Sequence, residues 1–436
     1  MMYILLLECL LVCLFIAFYI SYEDLLSPAC LFIFAFVFVT LCALLGRSTW
    51  NGFDLSIVAF FVVLIGCISF LFGCWLADPI KEEKSAFISA IRNNELHVKK
   101  VSTWKIIVLI IFVALTAYLK IKEIKTIGGG VDLSSSIAKT RYATNPAFTD
   151  SDSTENFSFT VKQFDKIVFI IGFVAAYLLV FNFKKESFIC KVTIIALWIS
   201  CAAYGILSGS RGSSLIVLVS PLLAIPIRYH RNGNNKKKSS LKLFGCILIA
   251  AAILLPIFYY SIELFGRSTK TDIIEYLSFY FGAGLPSLIH ALSIPQSVPT
   301  LPFYNTFYGI WSIISGFTDI SLPAYSSEWL NLGGHFSNIC TCFYRYFMDM
   351  RWIGVVVFSA LSGFVYTKLF RIACKTKQLW FIPCWLNVVR TIIDAGRDEL
   401  LIGHMLTTFN FYVLCLYTIL IMYFLYGEGI FRKKLK

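Results

Sequence analysis

Charged residues are scarce in this chain. Only 14% of its 436 residues are Asp, Glu, Lys or Arg, whereas 58% are hydrophobic and 17% are aromatic. Together with a mean hydropathy of +0.76, these proportions exclude an ordinary soluble globular protein and indicate a polytopic membrane protein. The 38 Lys and Arg residues outnumber the 25 Asp and Glu residues, but no RNA-binding signature accompanies them, so nucleic acid is not a predicted partner.

Patterns typical of metal sites are lacking as well. Most of the 14 cysteines lie in or beside apolar runs, where they act as small hydrophobic residues, and Cys340 and Cys342 do not have the spacing of a zinc site. Asp394 and Asp398 stand at positions i and i+4 beside Arg397, which indicates local ion pairing. We therefore predict that the protein uses no metal and no other cofactor.

Long apolar runs dominate the sequence. A hydrocarbon core of about 30 Å requires about 20 mainly apolar residues in a helix that crosses it. We predict an all-α protein, a single integral membrane domain over residues 1–436, with eleven spans. They lie near 2–20, 26–45, 55–76, 104–119, 165–183, 188–207, 212–229, 243–262, 352–373, 379–396 and 405–426. The first run lacks the positive flank of a signal peptide, so it is predicted to be a helix and not a cleaved leader.

Lys and Arg concentrate in segments that alternate with outer loops. These basic segments are 81–105, 184–191, 228–242, 368–377 and 432–436. All of them lie on one side of the membrane if the N-terminus is outside, and the positive-inside rule makes that side cytoplasmic. We predict an outer N-terminus, an inner C-terminus and two long outer loops, 120–164 and 263–351.

The two outer loops differ in character. Residues 120–164 are rich in Gly, Ser, Thr and Asn, which is typical of a flexible lid or a solvated connection. In the second loop, the apolar run 276–292 is interrupted by Gly282, Gly284 and Pro286, a pattern that favours a re-entrant or interfacial helix over a span. Aromatic residues between 303 and 311 are typical of a membrane interface, and such rings can also stack on sugars.

The short connection Ser208–Gly212 joins two predicted spans and holds Arg211 at the edge of the hydrocarbon. An arginine placed there by a two-glycine turn is a candidate for function, and its planar fork of donors fits phosphate oxygens. The alternative is an interfacial arginine whose side chain reaches lipid headgroups. Arg267 lies just beyond another predicted span on the same outer side, which also carries Arg141 and Arg345.

Among the five histidines, His335 lies in a glycine-flanked segment of the second outer loop. An imidazole presented on such a loop can approach a substrate closely and act as a general base near neutral pH. The alternative is a solvated or capping loop histidine. His290 and His404 are the other histidines on the predicted outer side.

Four local sequences, read with the span layout, resemble the O-antigen (oligosaccharide repeat-unit) polymerases of bacterial inner membranes. They are the turn 208–212, the broken apolar run 276–292, the segment 337–341, and 348–354. The resemblance covers most of the chain in layout. It implies the GT-C-like fold of lipid-dependent glycosyltransferases, which O-antigen ligases share. Residues 348–351 depart from the usual wording of the family, so the resemblance assigns no role to Asp349.

The family resemblance also implies substrates and roles. The growing glycan is passed from undecaprenyl diphosphate onto the non-reducing end of a lipid-linked repeat unit at the periplasmic face. From the residues themselves, arginines without a metal cluster and a single displacement assisted by a base, we predict a metal-independent transfer that inverts the anomeric centre. Arg211 and Arg267 would bind the donor diphosphate, and His335 would act as the base near the acceptor. Membrane lipid and a chain-length regulator are the further implied partners. Additional candidates for substrate binding are Arg141, Arg345, Tyr276 and Asn338. An O-antigen ligase and a lipid-linked oligosaccharide flippase are the alternatives.

Overall fold

The computed structural model describes most of the chain. The described residues are 1–21, 24–49, 54–77, 100–129, 132–144, 157–208, 211–231, 237–260, 272–293, 301–318, 320–322, 330–332, 335–337, 339–403 and 409–427. Within these ranges the chain forms 15 α-helices and one hairpin of two short strands.

The helices are numbered in chain order. They are α1 (Met2–Ile20), α2 (Pro28–Leu45), α3 (Ile57–Ala77), α4 (Thr103–Gly128), α5 (Leu133–Thr144), α6 (Phe159–Tyr177), α7 (Phe188–Tyr204), α8 (Arg211–Arg231), α9 (Lys237–Tyr260), α10 (Ile273–Gly282), α11 (Gly284–Ser293), α12 (Tyr308–Ser315), α13 (Cys342–Lys375), α14 (Phe381–Asp394) and α15 (Phe409–Tyr426). The strands β1 (Leu330–Leu332) and β2 (His335–Ser337) pair antiparallel.

Eight of the described helices are long and apolar enough to cross a membrane: α1 to α4, α6, α7, α8 and α13. This confirms that the chain is an α-helical, multi-pass membrane protein. The predicted set of eleven spans also included the segments that form α9, α14 and α15. With 14 residues, α14 is about 21 Å long, which is shorter than a hydrocarbon core of about 30 Å.

The two ends of the helix bundle are distinguished by their connections. We call the end where α2 finishes at Leu45 and α3 begins at Ile57 the distal end, and the opposite end the proximal end. The predicted outer side corresponds to the distal end. Close to the proximal end, His230 Nε2 lies 2.8 Å from Asp24 Oδ2, which joins α8 to the connection between α1 and α2.

Basic side chains at the proximal end bind the carbonyl groups that finish neighbouring helices. Lys105 Nζ donates to the carbonyl oxygen of Phe424 at 2.6 Å, and Arg371 Nη1 donates to that of Ala77 at 2.7 Å. Arg231, which is buried, donates in the same way at the end of α13. These carbonyls have no partner within their own helix, and a cation near a helix C-terminus is favourable. Part of the basic bias of this end therefore stabilises helix termini.

Helix α13 doubles back on itself at Met350 and Arg351, whose backbone torsions are not helical. Arg351 has φ of 53°, in the left-handed region that L-residues rarely adopt. On either side of this break the two arms lie in contact, since a Cβ atom on Gly354 would overlap the carbonyl oxygen of Tyr346. The arm 342–349 therefore runs up to the break beside the longer arm that follows it.

The start of α13 lies deep in the bundle. The ring of Phe343 is stacked on that of Phe36 in α2, with 4.8 Å between centroids, and it also lies against Gly66, near the middle of α3. The first arm of α13 thus begins inside the apolar core and ends at the distal end. A half-length helix of this kind places the polar groups near its start within the depth of the membrane.

The first predicted outer loop is largely helical where it is described. Helix α4 continues to Gly128, beyond the predicted end of its span at 119, and α5 follows. Residues 120–128 and 133–144 of this predicted loop are therefore helical, and its role as a lid or a solvated connection stays a prediction. At the predicted end of the span, Lys120 is buried and pairs with Asp165 of α6.

The interruption predicted in the apolar run 276–292 is confirmed. Helix α10 ends at Gly282 and α11 begins at Gly284. At this break the backbone lies against α2, because a Cβ atom on Gly282 would be 2.6 Å from the amide nitrogen of Ala43. Glycine permits this close approach near the distal end of α2.

Candidate functional site

The connection between α14 and α15 enters the bundle below the distal end. Cys342 donates its amide to the carbonyl oxygen of Ala395 at 2.8 Å. A Cβ atom on Gly396 would be 2.5 Å from Cγ2 of Val39, and Val39 precedes the end of α2 by about 9 Å. The charged residues that follow in this connection are therefore held inside the distal half of the bundle.

Glu399 is the most deeply buried of these charged residues, with 1% of its surface exposed. Its carboxylate accepts hydrogen bonds from the amides of Ile402 at 2.8 Å and Gly403 at 2.9 Å, and from the hydroxyl of Tyr346 at 2.9 Å. Burial raises the pKa of Glu399 to about 7, although these three donors act in the opposite direction. The group ties the connection to the first arm of α13.

Arg345 and Asp398 lie beside this carboxylate. Arg345 is 8% exposed, and its guanidinium carbon is 5.5 Å from the centroid of the Tyr344 ring. Burial raises the pKa of Asp398, and the charge of Arg345 opposes that rise. A guanidinium and a carboxylate at this depth form a polar site within an otherwise apolar bundle, and charged groups in such a position mark functional sites by default.

Arg397 completes what we call the arginine cluster, defined by Arg345, Arg397 and Asp398. Its guanidinium carbon lies 4.4 Å from the centroid of the Tyr280 ring, and Nη1 is 3.9 Å from Oδ1 of Asp394. Nε of Arg397 is buried and has no hydrogen-bond partner among the described residues. The contact with the ring face helps to hold the guanidinium in place, and the unpaired Nε remains available to donate to an oxyanion.

A short segment over residues 303–307, here called the roof segment, is bonded to the first arm of α13 beside Arg345. Asp349 accepts hydrogen bonds from the amide of Thr306 at 2.7 Å and from the amide and side chain of Asn305, each at 3.0 Å. Burial raises the pKa of Tyr304, and the charge of Arg345 opposes that rise, so Tyr304 stands within electrostatic reach of the cluster. Asp349 therefore has a clear structural role at the break in α13.

A second polar group lies between α4, α6 and α7. Lys120 Nζ is 2.8 Å from Oδ2 of Asp165 and 5.0 Å from the centroid of the Tyr204 ring. Tyr204 donates its hydroxyl to the other carboxylate oxygen of Asp165. The lysine side chain is 3% exposed and the aspartate 30%. This ion pair fixes the end of α7 immediately before the turn that carries Arg211.

The turn predicted as the centre of the site is at the distal end. Arg211 is the first residue of α8, and its side chain lies outside the described part of the structure. The preceding residues are tightly packed, because a Cβ atom on Gly205 would be 2.6 Å from Oγ of Ser214. Helix α5, which carries Arg141, contacts residues 205–208. The helix that bears Arg141 therefore packs against the residues that precede Arg211 in the chain.

His335 is placed by its backbone only. It pairs in the hairpin with Leu332, which is fully buried in the core, so the hairpin is anchored in the bundle. Arg267 and Asn338 lie outside the described residues. The ring of Tyr276 is stacked with that of Tyr280, at 6.1 Å between centroids, so the Tyr280 ring separates Tyr276 from Arg397.

Of the predicted site residues, Arg345 and Tyr276 are thus brought to the arginine cluster. Sequence reasoning missed Glu399 and the pair of Lys120 and Asp165, and it treated Arg397 as part of a local ion pair only. The useful signal was the run of three charges from Arg397 to Glu399 between two apolar segments. Nothing in the sequence shows that this run is buried.

Among the residues that the structure describes, no group of three or more His, Cys, Asp or Glu side chains is arranged to hold a metal ion. No protein-family model, no curated protein sequence and no solved structure matches this chain. The fold and the site define its class: a multi-pass α-helical membrane protein with a buried polar site in the distal half of its bundle.

Proposed function

We propose that this chain is a bacterial inner-membrane glycan polymerase. It transfers a growing glycan from undecaprenyl diphosphate onto the non-reducing end of a lipid-linked repeat unit, at the periplasmic face. The single observation that carries the proposal is the arginine cluster inside the distal half of a multi-pass bundle, since a lipid-linked diphosphate needs cationic donors at that depth. The sequence resemblance supplies the substrate class.

The arginines account for the leaving group. Negative charge develops on the departing diphosphate, and guanidinium forks held in place before the reaction stabilise it. Arg211 and Arg267 are the predicted ligands, and Arg397 is proposed as a third, because its guanidinium lies against the Tyr280 ring and its Nε is unpaired within the described chain. Arg345, which is buried beside Asp398, adds positive charge near the departing diphosphate.

The acceptor requires a base, because a sugar hydroxyl is a weak nucleophile at neutral pH. His335 remains the proposed base, and a positioned base contributes about 10²–10⁴-fold to the rate. Direct displacement by the activated hydroxyl inverts the anomeric centre. Tyr276, Arg141 and Asn338 are proposed to contact the glycan or its carrier.

The proposed orientation has the N-terminus in the periplasm and the C-terminus in the cytoplasm. The basic segments 81–105, 228–242 and 368–377 support it, because Lys and Arg are enriched in cytoplasmic segments. Cysteines introduced at Ser135 and Ser326 should react with an impermeant thiol reagent in intact spheroplasts, and a cysteine at Asn234 should not. Labelling at position 234 would contradict the proposed orientation and favour the opposite one.

A flippase is the second candidate, and Arg390 is the observation that favours it. The guanidinium carbon of Arg390 lies 5.2 Å from the ring centroid of Phe169, which is about 15 Å along α6 from Phe159. This charge is near the middle of the bundle, as a carrier of charged lipid-linked glycans would require. The polymerase is preferred because the arginine cluster and the Lys120–Asp165 pair both lie in the distal half.

Deletion of the gene and electrophoresis of the surface glycan separate the candidates. Loss of a polymerase leaves single capped repeat units on the surface, loss of a ligase leaves none, and loss of a flippase traps repeat units inside. Complementation then tests the site. Arg211→Lys and Arg397→Lys keep the charge but lose the fork, so the ladder should shorten while protein abundance stays normal.

Arg371→Lys at the proximal end is the matched control, because it makes the same chemical change far from the site and should restore the full ladder. Full-length polymer in Arg211→Lys would favour headgroup contact as the role of that arginine. Full-length polymer in Arg397→Lys would show that the guanidinium fork of the arginine cluster has no part in the mechanism, and the same result in both variants would exclude both arginines as diphosphate ligands.

A further inference from the structure

Helix α12 has no buried residue, although it belongs to a segment without any charge. Residues 301–318 contain no Asp, Glu, Lys or Arg. The large apolar side chains of Ile310, Ile313 and Phe317 are exposed, and that of Phe317 is 87% exposed. They occupy positions i, i+3 and i+7, so they form one stripe along the helix and the turn after it.

We propose that α12 lies in the interfacial layer of the lipid bilayer, with the stripe Ile310, Ile313 and Phe317 against the acyl chains, and that this contact holds the roof segment beside Arg345 of the arginine cluster. Contiguous apolar side chains are rarely left in water, and a helix with an apolar stripe on one face and polar side chains on the other suits a membrane surface. The proposed partner is lipid, whatever reaction the site performs.

The other face of α12 is polar, as an interfacial helix requires. Ser312 and Ser315 lie on the side opposite Ile310, and the hydroxyl of Ser315 donates to the carbonyl oxygen of Ser312 at 3.1 Å. Trp311 lies between the two faces and donates its indole N–H to the carbonyl oxygen of Pro302 at 3.0 Å. A ring with an apolar body and a bonded polar edge is typical of the headgroup level.

Lipid is favoured as the occupant because the surface continues onto the outside of a spanning helix. The rings of Phe303 and Phe307 pack on Phe358 in the long arm of α13, at 6.1 and 5.7 Å between centroids. On the same arm, Val357 and Leu361 are exposed apolar residues of a helix long enough to cross the membrane. The roof segment and α12 therefore adjoin a surface that already faces lipid.

The backbone holds this arrangement in place. Asp349 bonds the roof segment to the top of α13 through three hydrogen bonds. Phe303 in the roof and Arg351 in the break are the two non-glycine residues of the described chain with positive φ, each at 53°. Backbone in such regions persists only where the surrounding contacts determine it. Here the bonds to Asp349 hold the roof segment, which leads directly into α12, beside the first arm of α13.

Site-directed spin labelling in proteoliposomes of phosphatidylethanolamine and phosphatidylglycerol tests the proposal. Ile313→Cys and Phe317→Cys carry the label on the apolar stripe, and Ser312→Cys and Ser315→Cys are matched controls on the polar face of the same turns. Unsubstituted protein, labelled in parallel, gives the background from native cysteines such as the exposed Cys246. Each variant must elute from a sizing column as the unsubstituted protein does.

Collision rates with oxygen, which partitions into lipid, and with a water-soluble nickel chelate give the result. We expect the oxygen-to-nickel ratio to be several-fold higher at positions 313 and 317 than at 312 and 315. Equal access of the chelate to all four positions would overturn the proposal in favour of a water-exposed helix. Shielding of 313 and 317 from both reagents would overturn it in favour of a protein partner or a second copy of this chain.

Discussion

Because the carboxyl of Glu399 is buried, we expect the folded protein to lose stability as the pH rises from about 4.5 to about 7. Burial raises the pKa of this group from its ordinary value of 4.5 to about 7. Between those two values the folded protein holds a proton at Glu399 that the unfolded chain has released. Stability falls with rising pH wherever the folded state binds more protons, so the loss spans about pH 4.5 to 7.

The magnitude follows from the same two values. One pKa unit corresponds to about 1.4 kcal/mol, so a rise from 4.5 to about 7 corresponds to roughly 3 kcal/mol between acidic and alkaline pH. Asp398 adds to this slope, because burial raises its pKa too. Tyr346 opposes it, since its hydroxyl donates to the Glu399 carboxylate and favours the charged form.

Thermal unfolding of the purified protein in detergent, from pH 4.5 to 8, measures the slope. Wild-type protein should melt at progressively lower temperature as pH rises, and Glu399→Gln should lose most of that dependence, because glutamine keeps the shape and does not titrate. Tyr346→Phe is the matched control: it removes one donor to the carboxylate, so the slope should persist and extend to higher pH. An unchanged slope in Glu399→Gln would refute the assignment of the titration to this carboxyl.

Three further predictions concern other residues of the site. His335→Ala should lower the turnover of purified enzyme by about 10²-fold or more while lipid-linked substrate still binds, and turnover within threefold of wild type would exclude His335 as the base. Lys120→Met should destabilise the protein by about 3 kcal/mol because Asp165 loses its partner, and Lys120→Met with Asp165→Leu should recover most of that loss in a melting assay. Asp349→Ala should speed proteolysis within residues 301–318, because the amide of Thr306 loses its acceptor, whereas Asp272→Ala at the start of α10 should not.

The sequence was sufficient for the class of the protein and for several local features. Long apolar runs indicate a membrane because the chain has too few polar residues to shield such segments from water. The eight apolar helices agree with that prediction. The interruption between Gly282 and Gly284 was also visible, because glycine weakens a helix wherever it stands. These properties depend on composition and on neighbours along the chain.

Tertiary structure alone decided where the charged residues meet. Arg345 lies on the first arm of α13 and Arg397 lies 52 positions later in the sequence, and they share a site only because α13 doubles back at Arg351 and the connection after α14 enters the bundle. The length of α14 was likewise not predictable. An apolar run of 18 residues predicts a span, whereas the helix itself has 14 residues. Burial and pairing of charges are set by residues distant in sequence, so no local pattern could have shown that Glu399 is enclosed or that Lys120 finds Asp165.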